Sequence, residues 1–282
     1  MSNSNIPQID VQQIKEQICS VGAQIYDKRF AAANEGNISF RTGENEVLCT
    51  PSLHSKGDLT PDDICTVDMT GKQTAGKLKR TSEVLLHLEI YRNRPDVKCV
   101  VHCHPPHATA FAVAREPVPV AVLPEPDIFL GEVPIAPYFR PGTQAFAESV
   151  TPFVKNTNTI ILANHGTVSY DENLERAFWW TDILDAYCKI LILARQLGPL
   201  QLLSREQSKE LLDLRGEWGF SDHRADMGNV DIREFPGFSS LWESAGVAQR
   251  AFGPVENELS DATVDRIAQR VVELLERKAE PD

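Results

Sequence analysis

Positive charge is what this sequence has least of. Across 282 residues, 28 Lys and Arg stand against 40 Asp and Glu, a net charge of -12 at pH 7. A nucleic-acid-binding surface needs a basic patch, so the balance argues against that class. An anionic ligand must then be held by concentrated local charge, such as a metal ion or a helix N-terminus. No apolar run approaches the roughly 20 residues that cross a bilayer, and Met1–Gln8 is polar with no signal-peptide core. The six cysteines form no C-x-x-C pair and no scaffold spacing, a usage that fits free thiols in a reducing cytoplasm. Internal repeats are absent as well. With 42% hydrophobic and 24% charged residues, the chain reads as one large globular domain or two small ones, with no membrane or nucleic-acid partner.

What is present centres on Cys99-Val100-Val101-His102-Cys103-His104-Pro105, a buried strand stopped by proline. Alternation on a strand points His102 and His104 one way and Cys99, Val101 and Cys103 the other. Two imidazoles on one face hold a divalent cation if a third ligand arrives from elsewhere; alone, such a pair serves equally well as structure.

Upstream, apolar positions at Val11, Ile14, Ile18, Val21 and Ile25 predict a helix over 9–28. A loop at 33–37 leads to a hairpin of Ile38–Arg41 with Glu46–Thr50, and Asp62–Asp68 reads as a further strand. Thr81-Ser82-Glu83 opens a helix running to Arg94-Pro95, with Ser82 as its N-cap. Downstream, a short helix over 108–114 precedes a proline-rich segment, 115–141, read as loops and short strands. A buried strand at Thr159–Ala163 ends in Asn164-His165-Gly166, and a long helix spans Asp171–Leu197, closed by Gly198-Pro199. A helix over 204–214 ends the body.

His165, between a buried strand and a glycine, is the third ligand candidate. Three histidines with one open position are the pattern of catalytic rather than structural zinc. Glu83, in the first turn of the helix that feeds the ligand strand, is either a helix-dipole partner or a general acid/base beside the metal. Gly36-Asn37, the Ser52 loop with Lys56, and Thr81-Ser82 offer free N–H groups, hydroxyls or an amide to a phosphate. Each also has a plain turn or cap reading.

Taken together, Glu35-Gly36-Asn37-Ile38-Ser39-Phe40-Arg41, Thr50-Pro51-Ser52, Thr81-Ser82-Glu83, His102-Cys103-His104-Pro105 and Asn164-His165-Gly166 resemble the class II aldolase/adducin family. The match covers roughly residues 9–198, and the bacterial L-fuculose-phosphate aldolases are the most similar members. The resemblance implies an α/β fold of three layers, α/β/α, around a central, largely antiparallel sheet. It implies Zn2+ on His102, His104 and His165, a proton-transferring Glu83, and phosphate on Gly36, Asn37, Ser52, Thr81 and Ser82. A homotetramer with active sites between subunits is implied too. Zinc stabilises the enediolate left by carbon–carbon cleavage of a ketose phosphate, so no Schiff-base lysine is needed, and none sits among these motifs.

Two departures stand out. The aldolases usually carry glycine where this chain has Leu53, and Thr81 replaces the first serine of a Ser-Ser-Glu. Asp127 lies near where the similar fuculose-phosphate enzymes place a catalytic tyrosine from a neighbouring subunit, and Tyr138 is a second candidate proton donor. The related ribulose-phosphate epimerases have an aspartate near position 127, but they use aspartate where this chain has Glu83, which favours the aldolase.

The expected activity is zinc-dependent cleavage of a ketose 1-phosphate of L-fuculose 1-phosphate type to dihydroxyacetone phosphate and L-lactaldehyde. A pentose-phosphate 4-epimerase, a sugar-phosphate dehydratase and a non-catalytic adducin-like scaffold are the alternatives. The expected organisation is a catalytic domain over 1–214, a linker over 215–259 and an amphipathic helix within 260–282. That helix, over 260–278, either packs in the tetramer or docks on a partner. In the second case it resembles the encapsulation peptides that bind shell proteins of bacterial microcompartments, some of which process fucose and rhamnose through lactaldehyde.

Overall fold

Period-two and period-3.6 apolar patterns alternate along the chain, and they sort into strands and helices over residues 10–220, with Asp222 and Arg224, in a computed structural model. Helix α1 (Val11–Asp27) begins where Asp10 accepts from the Gln12 and Gln13 amides, and it buries Ile18, Val21 and Ile25. The expected hairpin forms from β1 (Asn37–Gly43) and β2 (Glu46–Cys49), with Ser39 opposite Cys49 and Arg41 opposite Val47. Next come β3 (Cys65–Val67), β4 (Gln73–Ala75), α2 (Val84–Asn93), β5 (Cys99–Cys103) and α3 (Pro106–Ala114). The chain continues through α4 (Pro124–Phe129), β6 (Ile135–Ala136), α5 (Gln144–Glu148), β7 (Thr159–Leu162), β8 (Gly166–Asp171), α6 (Leu174–Leu197) and α7 (Arg205–Glu217).

The strands form one sheet in the order β4-β3-β2-β1-β5-β8-β7-β6, antiparallel except where β6 runs parallel to β7. Apolar residues fill both faces. Val47, Val67, Val100, Ile160 and Val168 pack against Leu86, Leu88, Ile90 and Phe146 of α2 and α5. On the other face, Ile38, Leu48, Cys99, Val101 and Cys103 meet α1 and the start of α6. Ile135 and Ile161 meet α3 and the rest of α6 through Phe111, Leu184 and Leu191. This is the α/β/α arrangement the resemblance implies. At its middle lies β5, with every residue buried, between β1 and β8 and covered on both faces. Whatever β5 carries at its C-terminal end is therefore held rigidly. No helix among the described residues is long and apolar enough to cross a membrane.

Several local expectations need correction. The strand over 62–68 shrinks to β3, because Pro61–Asp63 form a 3-10 turn closed by a Thr60–Asp63 capping box. Ser82 does not cap α2. Glu83 occupies the N-cap position without a side-chain cap hydrogen bond, and its amide donates to Thr81 Oγ1. The segment 115–141 contains a helix, α4, because Pro124 and Pro126 lie in its first turn, where no amide is needed. The helix expected from Asp171 begins at Leu174, capped by Asn173, and residues 166–171 form β8 instead. Helix α7 extends to Glu217, past the expected start of the linker at 215. Phe220 also packs on Trp180 and Phe129. The proposed docking helix over 260–278 lies outside the described residues.

Candidate active site

The three histidines converge. His102, fully buried near the end of β5, donates from Nδ1 to the Thr167 carbonyl of β8 at 2.8 Å. Because a carbonyl only accepts, the proton sits on Nδ1 and Nε2 presents a lone pair. His104 follows β5, and its Nδ1 lies 3.3 Å from Glu35 Oε2, which fixes the same tautomer. The two Nε2 atoms then face each other at 3.3 Å. His165 comes from the turn between β7 and β8, its ring centroid 4.7 Å from that of His102 and 5.0 Å from that of His104. One nitrogen from each ring lies within 4.8 Å of the other two.

Two opposed lone pairs at 3.3 Å repel unless a cation or proton lies between them. The donor set therefore fits a divalent ion, and three imidazoles suit zinc or another imidazole-binding transition metal. His165 Nδ1 is buried with no partner among the described residues, further evidence that these rings are not arranged to satisfy each other. Burial lowers the pKa of His165 to about 3 and of His104 to about 4, reinforced by His102 beside both, so both are neutral near pH 7.

Glu83 closes the cluster. Its Oε2 lies 3.3 Å from His102 Nε2 and its Oε1 3.4 Å from His165 Nε2. The Asn37 amide donates to Oε2 at 2.7 Å. Burial works to raise the Glu83 pKa, but His102, His165 and the Asn37 amide overcome it and hold the carboxyl well below its usual range. At neutral pH it is an ionised base within reach of whatever binds at the imidazoles.

The turn that delivers His165 is tightly built. Asn164 adopts a left-handed conformation, φ 55°, with its amide donating to Ala112 O and its Oδ1 accepting from Arg115. Gly166 runs so close to β5 that a Cβ there would lie 2.5 Å from both Cys103 O and His104 Cδ2. We expect Gly166→Ala to push His104 aside and cost about 1–3 kcal/mol of stability, as overpacking does. Calorimetric unfolding and a metal titration of the variant check both effects.

The expected phosphate residues gather at the start of α2. Thr50 and Ser52 pair with the 79–81 segment (Ser52 N to Lys79 O, Thr81 N to Thr50 O), which places Ser52 beside Thr81 and Ser82. Ser52 Oγ donates to Arg80 O at 3.0 Å. Gly36, φ 73°, precedes β1 and packs on His102 O, and Asn37 is tied to Glu83. Lys56 does not join this group. Its buried ammonium donates to the Asn34 and His54 carbonyls and braces the loop, with burial lowering its pKa to about 8.

The two remaining candidates part company. Asp127 is buried in α4, accepts from the Ala121 amide at 2.8 Å, and faces Arg215, Asp222 and Arg224 rather than the imidazoles. Burial raises its pKa to about 6. Tyr138 is exposed, on the stretch that leads from β6 to Gly142, whose backbone meets Ser82 O. Glu35, Thr167 and the Ser39–His87–Tyr91 group beneath Glu83 were given no role by the sequence. Glu35 and Ser39 lie inside a motif whose glycine and asparagine drew attention first, and His87 stands one helical turn beyond Glu83.

Known proteins match this geometry. A family described as Class II Aldolase and Adducin N-terminal domain matches residues 16–192. An L-fuculose phosphate aldolase of Methanococcus vannielii is 37% identical over 166 residues, covering 59% of this chain and 88% of the relative. A 3-oxo-tetronate 4-phosphate decarboxylase of Escherichia coli is 29% identical over 211 residues, covering 71% of this chain and 95% of the relative. The solved structure of an L-fuculose 1-phosphate aldolase superposes with a TM-score of 0.67 at 26% identity, covering 74% of this chain and 97% of that one. The chain belongs to the class II aldolase and adducin family.

Proposed function

We propose that this protein is a zinc-dependent aldolase that cleaves a ketose 1-phosphate of L-fuculose 1-phosphate type to dihydroxyacetone phosphate and L-lactaldehyde. The observation that carries the reading is Glu83: an ionised, buried carboxylate placed between His102 and His165 and beside a phosphate cradle. His102, His104 and His165 would hold the ion, which supplies a Lewis acid for charge developing on substrate oxygens. Gly36, Ser52, Thr81 and Ser82 anchor the phosphate, with the N-terminus of α2 adding its partial positive charge. Breaking the bond between the carbons α and β to the ketone leaves an enediolate, and Glu83, after taking up a proton, delivers it to the carbanionic carbon. The burial of Glu83 keeps that proton from exchanging with bulk water during the step.

Retro-aldol cleavage also requires a base for the hydroxyl proton of the departing aldehyde. In the proposed homotetramer, the 115–141 segment of a neighbouring chain lines that side, and Tyr138, being exposed, is the candidate. Asp127 is the weaker choice, since its carboxylate is already engaged within its own chain.

That same observation favours a second reading. A 3-oxo-tetronate 4-phosphate expels carbon dioxide and leaves the same dihydroxyacetone phosphate enediolate with no hydroxyl to deprotonate, so the described site would suffice. A panel of L-fuculose 1-phosphate, 3-oxo-tetronate 4-phosphate and L-ribulose 5-phosphate separates the readings. Dihydroxyacetone phosphate with lactaldehyde, abolished by chelation, is the expected result. Dihydroxyacetone phosphate with carbon dioxide would establish the second reading, conversion of the pentose phosphate would point to an epimerase, and no turnover of any would contradict both readings.

A further inference from the structure

Two buried polar atoms in the layer between α2 and β1 meet no partner among the described residues: His87 Nε2 and Asn37 Oδ1. They lie on adjacent rungs of one ladder. In the first rung, Asn37 Nδ2 donates to Glu83 Oε2 at 2.7 Å. In the second, Ser39 Oγ lies 2.7 Å from both His87 Nδ1 and Tyr91 OH. Asn37 and Ser39 share a strand face about 7 Å apart, and His87 stands one helical turn, about 5–6 Å, beyond Glu83.

The protons of the second rung can be assigned by counting. His87 is completely buried, which drives its pKa down to about 3 with help from His102, so it is neutral and carries one ring proton. If that proton were on Nδ1, it would go to Ser39 and the Ser39 proton to Tyr91. The Tyr91 hydroxyl proton and the Nε2 lone pair would then both be buried without partners. If it is on Nε2 instead, Tyr91 donates to Ser39 and Ser39 donates to Nδ1, leaving only the Nε2–H to satisfy. The second arrangement strands fewer groups. It leaves a donor at His87 Nε2 and an acceptor at Asn37 Oδ1, one rung apart, and an internal water between them would satisfy both.

We propose that His87 is a positioning residue for Glu83, holding a water between its Nε2 and Asn37 Oδ1 so that Asn37 presents its amide nitrogen to the carboxylate. Every bond in the chain then points the same way, from Tyr91 through Ser39, His87, the water and Asn37 to Glu83. Such a run of donors strengthens along its length and fixes which end of the Asn37 amide meets Glu83. Without the water, the amide of Asn37 is free to turn and set its oxygen against Glu83. The inference rests on Glu83 being the proton-transfer group of the proposed function, but its test does not.

The test is nitrogen NMR of the resting protein with labelled histidine, together with kinetics of two variants. The His87 signal is expected to show the Nε2–H tautomer throughout the neutral range. His87→Met, close in volume, is expected to lower kcat for dihydroxyacetone phosphate release by roughly 10- to 100-fold, the size of losing an outer-shell partner. KM and metal content should stay put. His87→Gln, whose amide nitrogen can stand in for Nε2, is expected to recover most of that loss. An Nδ1–H tautomer, an unchanged kcat in His87→Met, or a loss that His87→Gln does not recover would overturn the proposal. Should His87→Met fail to fold, Ser39→Ala breaks the chain one link earlier, and an unmoved His87 signal in that variant would overturn it equally. If the wild-type chain releases no dihydroxyacetone phosphate, the functional reading falls while the tautomer still decides the water bridge.

Discussion

Replacing Glu83 by glutamine is expected to cut dihydroxyacetone phosphate release by roughly 10²- to 10⁴-fold, the range for loss of a general acid/base. The two side chains have the same shape, so the buried pocket between His102, His165 and Asn37 stays filled. What changes is chemistry: an amide cannot accept a proton and return it to carbon. His102 and His104 keep their own anchors, Thr167 O and Glu35, and His165 stays in its turn, so metal content should stay close to wild type. Parallel measurement of turnover and bound metal checks both halves. A variant that loses metal in step with activity would make Glu83 a ligand first and a base second.

Removing a proposed imidazole ligand should act in the opposite order. His165→Ala deletes one of the three proposed ligands and should weaken metal binding by more than the roughly 10- to 100-fold that loss of an outer-shell partner costs. Activity should fall to the level of the chelated wild type. The fold should survive, because His165 sits in a turn, and β7 and β8 pair from Leu162–Gly166 onward without its side chain. Equilibrium titration with zinc, compared with circular dichroism of the same samples, separates a lost site from a lost fold. Tight stoichiometric binding in this variant would mean that the ion is held elsewhere.

These effects were legible in the sequence to the extent that local periodicity controls them. The His102–His104 pairing follows from alternation on a strand, and the proline after it fixes where the strand stops. The opposite orientation of Cys103, into the α1 and α6 face, follows from the same rule. Other features depend on competition between equally good local signals. Asp171 reads as a helix start. The Asn173 side chain takes the cap, and the preceding residues are free to pair with β5 as β8. Prolines at 124 and 126 read as breakers, yet both fall in a first turn that tolerates them.

The direction of a side chain in an irregular segment is harder still. Nothing in the order of residues 115–141 says that Asp127 turns inward to the Ala121 amide and the Arg215–Arg224 cluster. The network beneath Glu83 was hidden for another reason. Ser39 and Tyr91 are unremarkable alone, and their roles appear only when β1 and α2 are laid together.

The central claim is that three imidazoles, two from the end of β5 and one from the β7–β8 turn, hold one catalytic cation beside Glu83. Anomalous diffraction at the zinc edge, on crystals of the zinc-loaded protein, tests it most directly. The account predicts one peak per chain, bonded to His102, His104 and His165 with Glu83 adjacent. A peak bound by other residues, or none at these three, would contradict it.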